Sequence, residues 1–419
     1  MSPDELELLQ RHAPLLRLDL LERFAPVAVD PFLARAAVVA DGERLSGPPA
    51  ELAATAGSRQ AGLHLDPLAD AIAAGTQSPA ATQPPAAAPL PLAARMFAAF
   101  APPPGPSEWV CYGEIEPLIG GGRALSYWFF WVDNPFGIRF TDIGRHVGDW
   151  EQVQVELAPG GAIVAVTVMQ HGSAHRVEAG AAQLTIERRR PRVYVAEGSH
   201  AAYLTAAAQP RKLKQDNTSD GGRSGVPRVR ALDAAEADVW PGWPGRWGPD
   251  TGAVVPLPAW LVALARRLAP RGFGGDSPPG PLARGKRRAG TRPLRRHTPG
   301  AIAPNAWLSR ALQRLGGATW PRRVEIDATT PVAVDAGRDA PRVQARARVG
   351  GWLLRRARYL DAVVVDADGA ALGHARARVK GASIDLTIEL IAAGTPAQLR
   401  LAGYNALDQR SNVSRRPVG

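Results

Sequence analysis

The chain of 419 residues lacks the features that mark several common classes of protein. Cys111 is its only cysteine, so an intramolecular disulfide and a thiolate metal cage are both excluded. No run of apolar residues has the length that a helix needs to cross a bilayer. The first residues, MSPDELELLQRHAPLL, lack a basic segment followed by an apolar one. We therefore see no secretory signal and expect a cytoplasmic location.

Acidic residues are missing from Ser277 to Val324, and this segment accounts for the whole positive charge of the chain. Its eleven basic residues equal the net charge of +11. They are Arg284, Lys286, Arg287, Arg288, Arg292, Arg295, Arg296, Arg310, Arg314, Arg322 and Arg323. Because proline and glycine are frequent around them, we interpret residues 271–320 as a basic linker that includes one helix.

What the chain does contain is mainly the pattern of β-strands. SYWFFWV is aromatic and β-branched, EQVQVELA alternates strictly, and IVAVTVMQ and RVYVAEG are short apolar runs between turn signals. These patterns predict a β-sandwich core with peripheral helices over residues 1–270. Within it, residues 78–106 are dominated by alanine and proline and predict a loop.

The last part of the chain returns to short alternating strands after two stretches with helical spacing. The helical stretches are PAWLVALARRLA and NAWLSRALQRLGG, whose leucines recur on one face. Residues 322–419 then contain VQARARV, AVVVDADG, SIDLTIEL and AQLRLAGYN. Their length and spacing predict a small immunoglobulin-like β-sandwich, which we interpret as an accessory domain.

The segment HVGDWEQVQVEL carries the strongest chemical signal. Side chains alternate between the two faces of a strand, so Val153 and Val155 point inward while Gln152 and Gln154 point outward. The same alternation places Glu151 and Asp149 on the inward side. Two carboxylates at the mouth of an apolar face are disfavoured by desolvation and by mutual repulsion, so we expect a cation beside them.

A hard divalent ion, Mg or Ca, would neutralise these carboxylates, because carboxylate oxygens are its preferred ligands. His146 lies across a glycine-containing turn from Asp149, and Asp133 leaves the SYWFFWV strand nearby. The predicted metal ligands are Asp133, His146, Asp149 and Glu151. The alternative is that Asp149 and Glu151 are solvated at a strand end or paired with Arg139 or Arg145.

Two more histidines end predicted strands, His171 in VMQHG and His200 in EGSHA. A histidine at a strand end most often bonds a turn. Together with HVGDWE, however, these two indicate a sheet end that gathers polar groups. His171 and His200 are therefore the candidate catalytic residues.

Several motifs of the first 280 residues resemble the Vps62-related family. That family is named after a vacuolar protein sorting factor and is also found as a plant domain of unknown function. The matching pieces are APLLRLDLLERFAPVAVDPF, YWFFWVDNPFG, HVGDWEQVQVEL, VMQHG, RVYVAEGSHAAYL, DNTSDGG, WPGRWG and SPPGP. Members usually read His-Glu-Gly-Asp-Trp-Glu, so Val147 departs from the pattern.

A more distant likeness is to the necrosis- and ethylene-inducing peptide 1-like proteins, whose Gly-His-Arg-His-Asp-Trp-Glu motif parallels Arg145 to Glu151. In that family the first His, the Asp and the Glu hold a divalent cation together with an Asp from the preceding strand. Carried over, these residues are His146, Asp149, Glu151 and Asp133. Gly148 stands where the second His would be. The resemblance implies a β-sandwich and a cation site; toxicity does not transfer, because no signal is seen and the surrounding sequence differs.

Three functions follow as hypotheses. The first is a cation-dependent binding module that recognises lipid or glycan head groups. The second is a metal-assisted hydrolase in which the ion activates water and His171 or His200 is the general base. The third is binding to an anionic membrane surface or polymer through Arg284, Lys286, Arg287 and Arg288. Nucleic acid is disfavoured, because the basic segment matches no nucleic-acid-binding motif.

Overall fold

The fold is seen in a computed structural model of the chain. It describes residues 1–40, 43–45, 64–68, 92–101, 103–135, 145–170, 173–210, 215–232, 240, 243, 245–249, 280–281, 324–326, 332–335, 341–351, 356–405 and 409–419.

The described residues form two β-sandwiches with short helices at their edges. The helices are Pro3–His12 (α1), Asp30–Leu33 (α2) and Leu92–Phe100 (α3), with a 3₁₀ turn at Pro106–Glu108. The strands up to residue 231 are Leu15–Leu18 (β1), Ala37–Ala40 (β2), Glu43–Leu45 (β3), His64–Asp66 (β4), Val110–Pro117 (β5), Arg123–Asn134 (β6), His146–Leu157 (β7), Ile163–Gln170 (β8), Ser173–Glu178 (β9), Ile186–Glu187 (β10), Arg190–Val195 (β11), Ala202–Tyr203 (β12), Ala208–Pro210 (β13), Gln215–Asn217 (β14), Ser224–Gly225 (β15) and Arg228–Ala231 (β16). Of these, β2, β3 and β4 form a separate small sheet, β13 and β14 form another, and the rest form the first sandwich. Those of the second sandwich are Val324–Ile326 (β17), Ala333–Asp335 (β18), Arg342–Val349 (β19), Tyr359–Val365 (β20), Ala371–Arg378 (β21), Ser383–Glu389 (β22), Gln398–Tyr404 (β23) and Ser414–Pro417 (β24).

The larger sheet of the first sandwich has the strand order β16-β5-β6-β7-β8-β9. Strands β5 to β9 run antiparallel to their neighbours, while β16 pairs in parallel with β5. The predicted strands SYWFFWV, EQVQVELA and IVAVTVMQ lie within β6, β7 and β8. The register places Glu151 opposite Phe129 and Asp149 opposite Trp131, so each acidic residue neighbours an aromatic one on the same face of the sheet.

A second, smaller sheet packs against the larger one. Its order is β10-β11-β1-β15, with β12 also paired to β11, and β1 runs parallel to β11 with Leu16 opposite Val193. Leu16 and Val193 are buried in one apolar cluster with Val153 and Val155 of the larger sheet. The predicted mainly-β fold with a β-sandwich core is confirmed.

An aromatic layer covers the other face of the larger sheet. Trp150 of β7 stacks on Trp240 with ring centroids 5.6 Å apart and meets Trp247 edge-on at 5.2 Å. Phe130 of β6 contacts the rings of Trp150 and Trp247. Both faces of this sheet are therefore buried, which explains why the outward residues Gln152 and Gln154 are also buried. Gln154 donates from Nε2 to Ser126 Oγ at 3.1 Å.

The second sandwich consists of two sheets around an apolar core. One has the order β17-β19-β18 with β22 on β19, and the other has the order β21-β20-β23-β24. In β19 burial alternates strictly, with Val343, Ala345, Ala347 and Val349 inside. The predicted sandwich over residues 322–419 thus contains two packed sheets; its immunoglobulin-like character stays a prediction.

One part of the predicted loop over residues 78–106 is instead helical. Residues Leu92–Phe100 form α3, because Met96 and Phe97 are buried against the first sandwich and Phe97 meets Phe24 edge-on at 6.0 Å. The helices predicted for PAWLVALARRLA and NAWLSRALQRLGG lie outside the described residues. Among the described residues, no helix is long and apolar enough to span a membrane.

Candidate functional site

The ends of β6 and β7 bring the predicted site together. Asp133 pairs with Val147 and Asn134 with His146 across these two strands. At Gly148 the backbone adopts φ +63°, a conformation that side chains other than glycine rarely adopt. A side chain at this position would also collide with the carbonyl oxygen of Trp247. Glycine therefore stands at this position of the motif because the aromatic layer leaves no space for a side chain.

Asp133 is held by an arginine. It is fully buried, and Arg145 Nη2 donates to its Oδ2 at 2.9 Å and to its Oδ1 at 3.1 Å. Burial raises the pKa of Asp133 above its ordinary value, against the opposing effect of the Arg145 guanidinium. The sequence left open Arg145 as a partner of Asp149 and Glu151, and the structure shows it paired with Asp133.

Asp149 is bonded on one side by the residues that surround it. Its Oδ2 accepts from Asn134 Nδ2 and from His200 Nδ1, both at 3.1 Å. His146 Nε2 lies 3.9 Å from its Oδ1. The other ring nitrogen of His146, Nδ1, donates to the carbonyl of Gly148 at 2.9 Å, which leaves Nε2 to accept from Asn134 Nδ2 at 3.1 Å.

His200 occupies the space between two carboxylates. Its Nδ1 faces Asp149, its Nε2 lies 3.6 Å from Glu22 Oε1, and its ring stacks on Trp131 at 4.2 Å with an interplanar angle of 1°. Burial alone would lower the pKa of His200, but the Glu22 and Asp149 carboxylates outweigh it and raise the pKa to about 9. His200 therefore supplies positive charge between two buried acids.

Glu22 belongs to the same site, although no sequence motif assigns it a role. Its Oε1 accepts the backbone N–H groups of Arg23 and Phe24, both at 2.9 Å, and its Oε2 accepts that of Gly198 at 2.5 Å. Burial acts to raise the pKa of Glu22, yet His200 and these N–H donors lower it. In the sequence, Glu22 is marked only by its place as an acidic residue in the mainly apolar segment LDLLERFAP. We name Glu22, Asp133, Arg145, His146, Asp149 and His200 the strand-end cluster.

The turn that carries His200 is fixed from its other side. Asp216 is fully buried and accepts Ser199 Oγ at 3.0 Å and the Tyr203 hydroxyl at 2.6 Å. His200 itself has φ +55°, which for a residue other than glycine persists only where the surroundings hold it. The motif DNTSDGG thus contributes Asp216 as a structural anchor for this turn.

The remaining predicted residues are Glu151, His171 and the basic residues of the linker. Glu151 is partly buried on β7, two positions from Asp149 and opposite Phe129. His171 lies outside the described residues, and so do Arg284, Lys286, Arg287 and Arg288. The structure therefore brings together four of the predicted residues, Asp133, His146, Asp149 and His200.

The strand-end cluster does not fit a divalent cation in this arrangement. Both oxygens of Asp133 accept from Arg145, and Nε2 of His146 accepts from Asn134. Among the residues that the structure describes, no group of three or more His, Cys, Asp or Glu is placed to hold a metal ion. The physical reason is that Arg145 and His200 already provide the positive charge that the buried carboxylates require.

Comparison with known families supports the resemblance read from the motifs. Residues 127–221 match the family model described as vacuolar protein sorting-associated protein 62. This range contains HVGDWE, GSHAAY and all but the last residue of DNTSDGG, so the predicted resemblance to the Vps62-related family is confirmed over this part of the chain. No curated protein matches the chain significantly.

Solved structures similar to this chain are necrosis- and ethylene-inducing peptide 1-like proteins, as the distant likeness predicted. NLPPya in complex with mannosamine is 13% identical, with 55% of this chain and 76% of that chain covered and a TM-score of 0.26. The non-toxic HaNLP3 protein is 14% identical with the same coverage and a TM-score of 0.27. NLPPya in complex with glucosamine is 14% identical over 64% of this chain and 89% of that chain, with a TM-score of 0.29. TM-scores of this size do not establish a common arrangement of the chains.

Proposed function

We propose that the chain is a binding module that recognises a polar head group, of a glycan or a lipid, at the strand-end cluster. The observation that carries the proposal is a group of buried polar side chains, held by hydrogen bonds and stacking, next to partly exposed polar side chains on the same strand. Asp149 and His200 are fixed by Asn134, Glu22 and Trp131, while His146 and Glu151 remain partly exposed. Polar groups held in place in this way bind a ligand with little loss of side-chain freedom.

A divalent cation, Mg or Ca, stays a separate part of the proposal. The sequence predicts Asp133, His146, Asp149 and Glu151 as its ligands, whereas in the structure Asp133 is paired with Arg145. Cation-dependent recognition therefore requires that His146 exchange its contact with Asn134 for the ion. Metal analysis of the purified protein beside the His146→Ala/Asp149→Ala variant tests this directly. Bound metal that the variant loses supports the cation, and a metal-free, binding-competent protein removes it.

The binding experiment uses a glycan array that includes glucosamine and mannosamine, and vesicles of phosphatidylcholine with and without phosphatidylserine. Glu151→Gln removes one partly exposed charge with little change in shape. Glu156→Gln is the matched control, because Glu156 lies on the same strand with similar exposure but pairs with Arg176 at 2.6 Å near the other end. We expect binding that Glu151→Gln weakens and Glu156→Gln leaves unchanged. Binding that is indifferent both to EDTA and to Asp149→Ala overturns the proposal.

The alternative of a metal-assisted hydrolase receives less support from the geometry. Both ring nitrogens of His200 face carboxylates, and the side chain is 1% exposed, so no nitrogen is directed at an outside substrate. Ser199 is bonded to Asp216 rather than to His200. Binding of anionic membranes through the basic segment stays a prediction, which the phosphatidylserine vesicles test at the same time.

A further inference from the structure

A buried arginine of the second sandwich joins two segments of the first. Arg410 is 8% exposed, and its Nη1 donates to Asp19 Oδ1 at 2.6 Å and to Glu197 Oε2 at 2.9 Å. Its Nη2 donates to Asp19 Oδ2 at 2.9 Å. Planar guanidinium groups suit such paired contacts with carboxylates, and each bond is strengthened by charge. Arg410 thus connects the segment that begins at Asp19 with the turn that begins at Glu197.

Other residues of the second sandwich reach the same two segments. The Tyr404 hydroxyl donates to Glu197 at 2.7 Å. Arg400 Nη1 donates to the carbonyl oxygen of Leu20 at 3.0 Å, and Arg23 Nη1 donates to His374 Nδ1 at 3.0 Å. These hydrogen bonds are buried or partly buried, and their strength depends on the exclusion of water while the two sandwiches remain packed together.

The two segments joined by Arg410 supply Glu22 and His200 of the strand-end cluster. Glu22 lies three residues after Asp19, and His200 three residues after Glu197. Glu22 also accepts the N–H of Gly198, so the two segments meet directly. The contacts of Arg410 with Asp19 and Glu197 therefore help to hold Glu22 close to His200.

We propose that the second sandwich is a structural component of the candidate site, and that Arg410 is a positioning residue that holds Glu22 and His200 against Asp149. The idea rests on the proposed function only where ligand binding is concerned. It gives the second sandwich a role that an accessory domain on a linker would not have. Loss of Arg410 leaves the buried Asp19 and Glu197 carboxylates without their main cation, which loosens both segments.

The test is amide hydrogen exchange in the full chain, which needs no ligand. The variant is Arg410→Met, and the matched control is Arg346→Met, which removes an exposed ion pair with Asp385 on the same sandwich. We expect the amides of Phe24 and Gly198 to exchange at least about tenfold faster in Arg410→Met, as local anchoring is lost. Amides of Val153 and Val155 should keep their protection, and Arg346→Met should match the unmodified protein.

Two results overturn the inference: unchanged exchange at Phe24 and Gly198, or an increase of the same size across β7. If Arg410→Met fails to fold, Tyr404→Phe decides, because it removes one donor to Glu197 and keeps the stacking of its ring on Tyr359. Faster exchange at Gly198 in that variant supports the inference, and unchanged exchange overturns it. Binding of the vesicle and glycan probes by Arg410→Met is measured separately. If the unmodified protein binds no probe while Arg410→Met shows the expected exchange pattern, only the proposed function is contradicted.

Discussion

The two sandwiches differ in what they bury. In β19 of the second sandwich burial follows simple alternation, with apolar residues inside and Gln344 and two arginines outside. The first sandwich buries Glu22, Asp133, Asp149 and His200 together at one end of its larger sheet. Buried charge is unfavourable unless it is paired, so such a cluster serves stability poorly and marks the region where function is expected.

The largest effect is expected where a buried pair loses one partner. Arg145→Met leaves the Asp133 carboxylate buried without its cation, and we expect it to lower the free energy of unfolding by about 3–5 kcal/mol at neutral pH. Urea unfolding measures the loss. Adding Asp133→Asn should recover much of it, because the remaining side chain is neutral. A loss below about 1 kcal/mol, the size typical of an exposed pair, would contradict the buried pairing.

In the apolar core of the second sandwich, the volume of each buried side chain, rather than its charge, should decide the effect of a substitution on stability. Leu401 is fully buried between the sheets. Leu401→Ala should lower the free energy of unfolding by about 2–5 kcal/mol through lost apolar contact and a cavity. Leu401→Met, which nearly conserves volume, should cost less than about 1.5 kcal/mol. Equal losses in both variants would show that this core is not packed as described.

A glycine of the site can be compared with a glycine of a turn. Gly148 and Gly161 both have positive φ, at +63° and +79°, but only at Gly148 would an added Cβ meet the backbone of Trp247. Gly161→Ala should cost about 1–2 kcal/mol from backbone strain alone. Gly148→Ala should cost more and should change tryptophan fluorescence as Trp247 moves. Similar losses without a spectral change would contradict the close contact.

The smallest expected effect is a pH dependence at the edge of the first sandwich. His12 is buried with Nδ1 3.1 Å from the carbonyl oxygen of Arg189, and burial lowers its pKa. Charged groups that also lower it are Arg11, Arg189 and Arg190. The unfolded chain then binds a proton near pH 6.5 that the folded chain does not, so stability falls as the pH drops through and below that value, by at most about 1.4 kcal/mol per pH unit.

Urea unfolding between pH 5 and 8 (about the range in which histidine titrates) measures the difference between the unmodified protein and His12→Gln. The variant lacks the titrating group, so the difference between the two should change with pH. A constant difference would show that His12 has the same affinity for protons in the folded and unfolded chains.

The local sequence pattern predicted strands β6, β7 and β8. It also predicted the burial of Asp149, because the alternation in EQVQVELA continues into HVGDWE. It also predicted that a cation must accompany the inward carboxylates. It left open whether an ion or an arginine accompanies Asp149 and Glu151. His200 lies beside Asp149 from 51 positions away, and no local pattern predicts that contact. The helix at Leu92–Phe100 was missed, since alanine and proline dominate that segment and its burial of Met96 depends on the sheet beneath it.

The sequence by itself determined that this chain is mainly β, where its strands run, and which residues of β7 face inward. Only the tertiary structure decided which groups meet those inward residues. Glu22 bonds Gly198 across 176 positions, and Asp19 bonds Arg410 across 391. Periodicity is a local property set by the geometry of a strand, whereas such contacts depend on the order of strands within the sheets and on how the sheets pack.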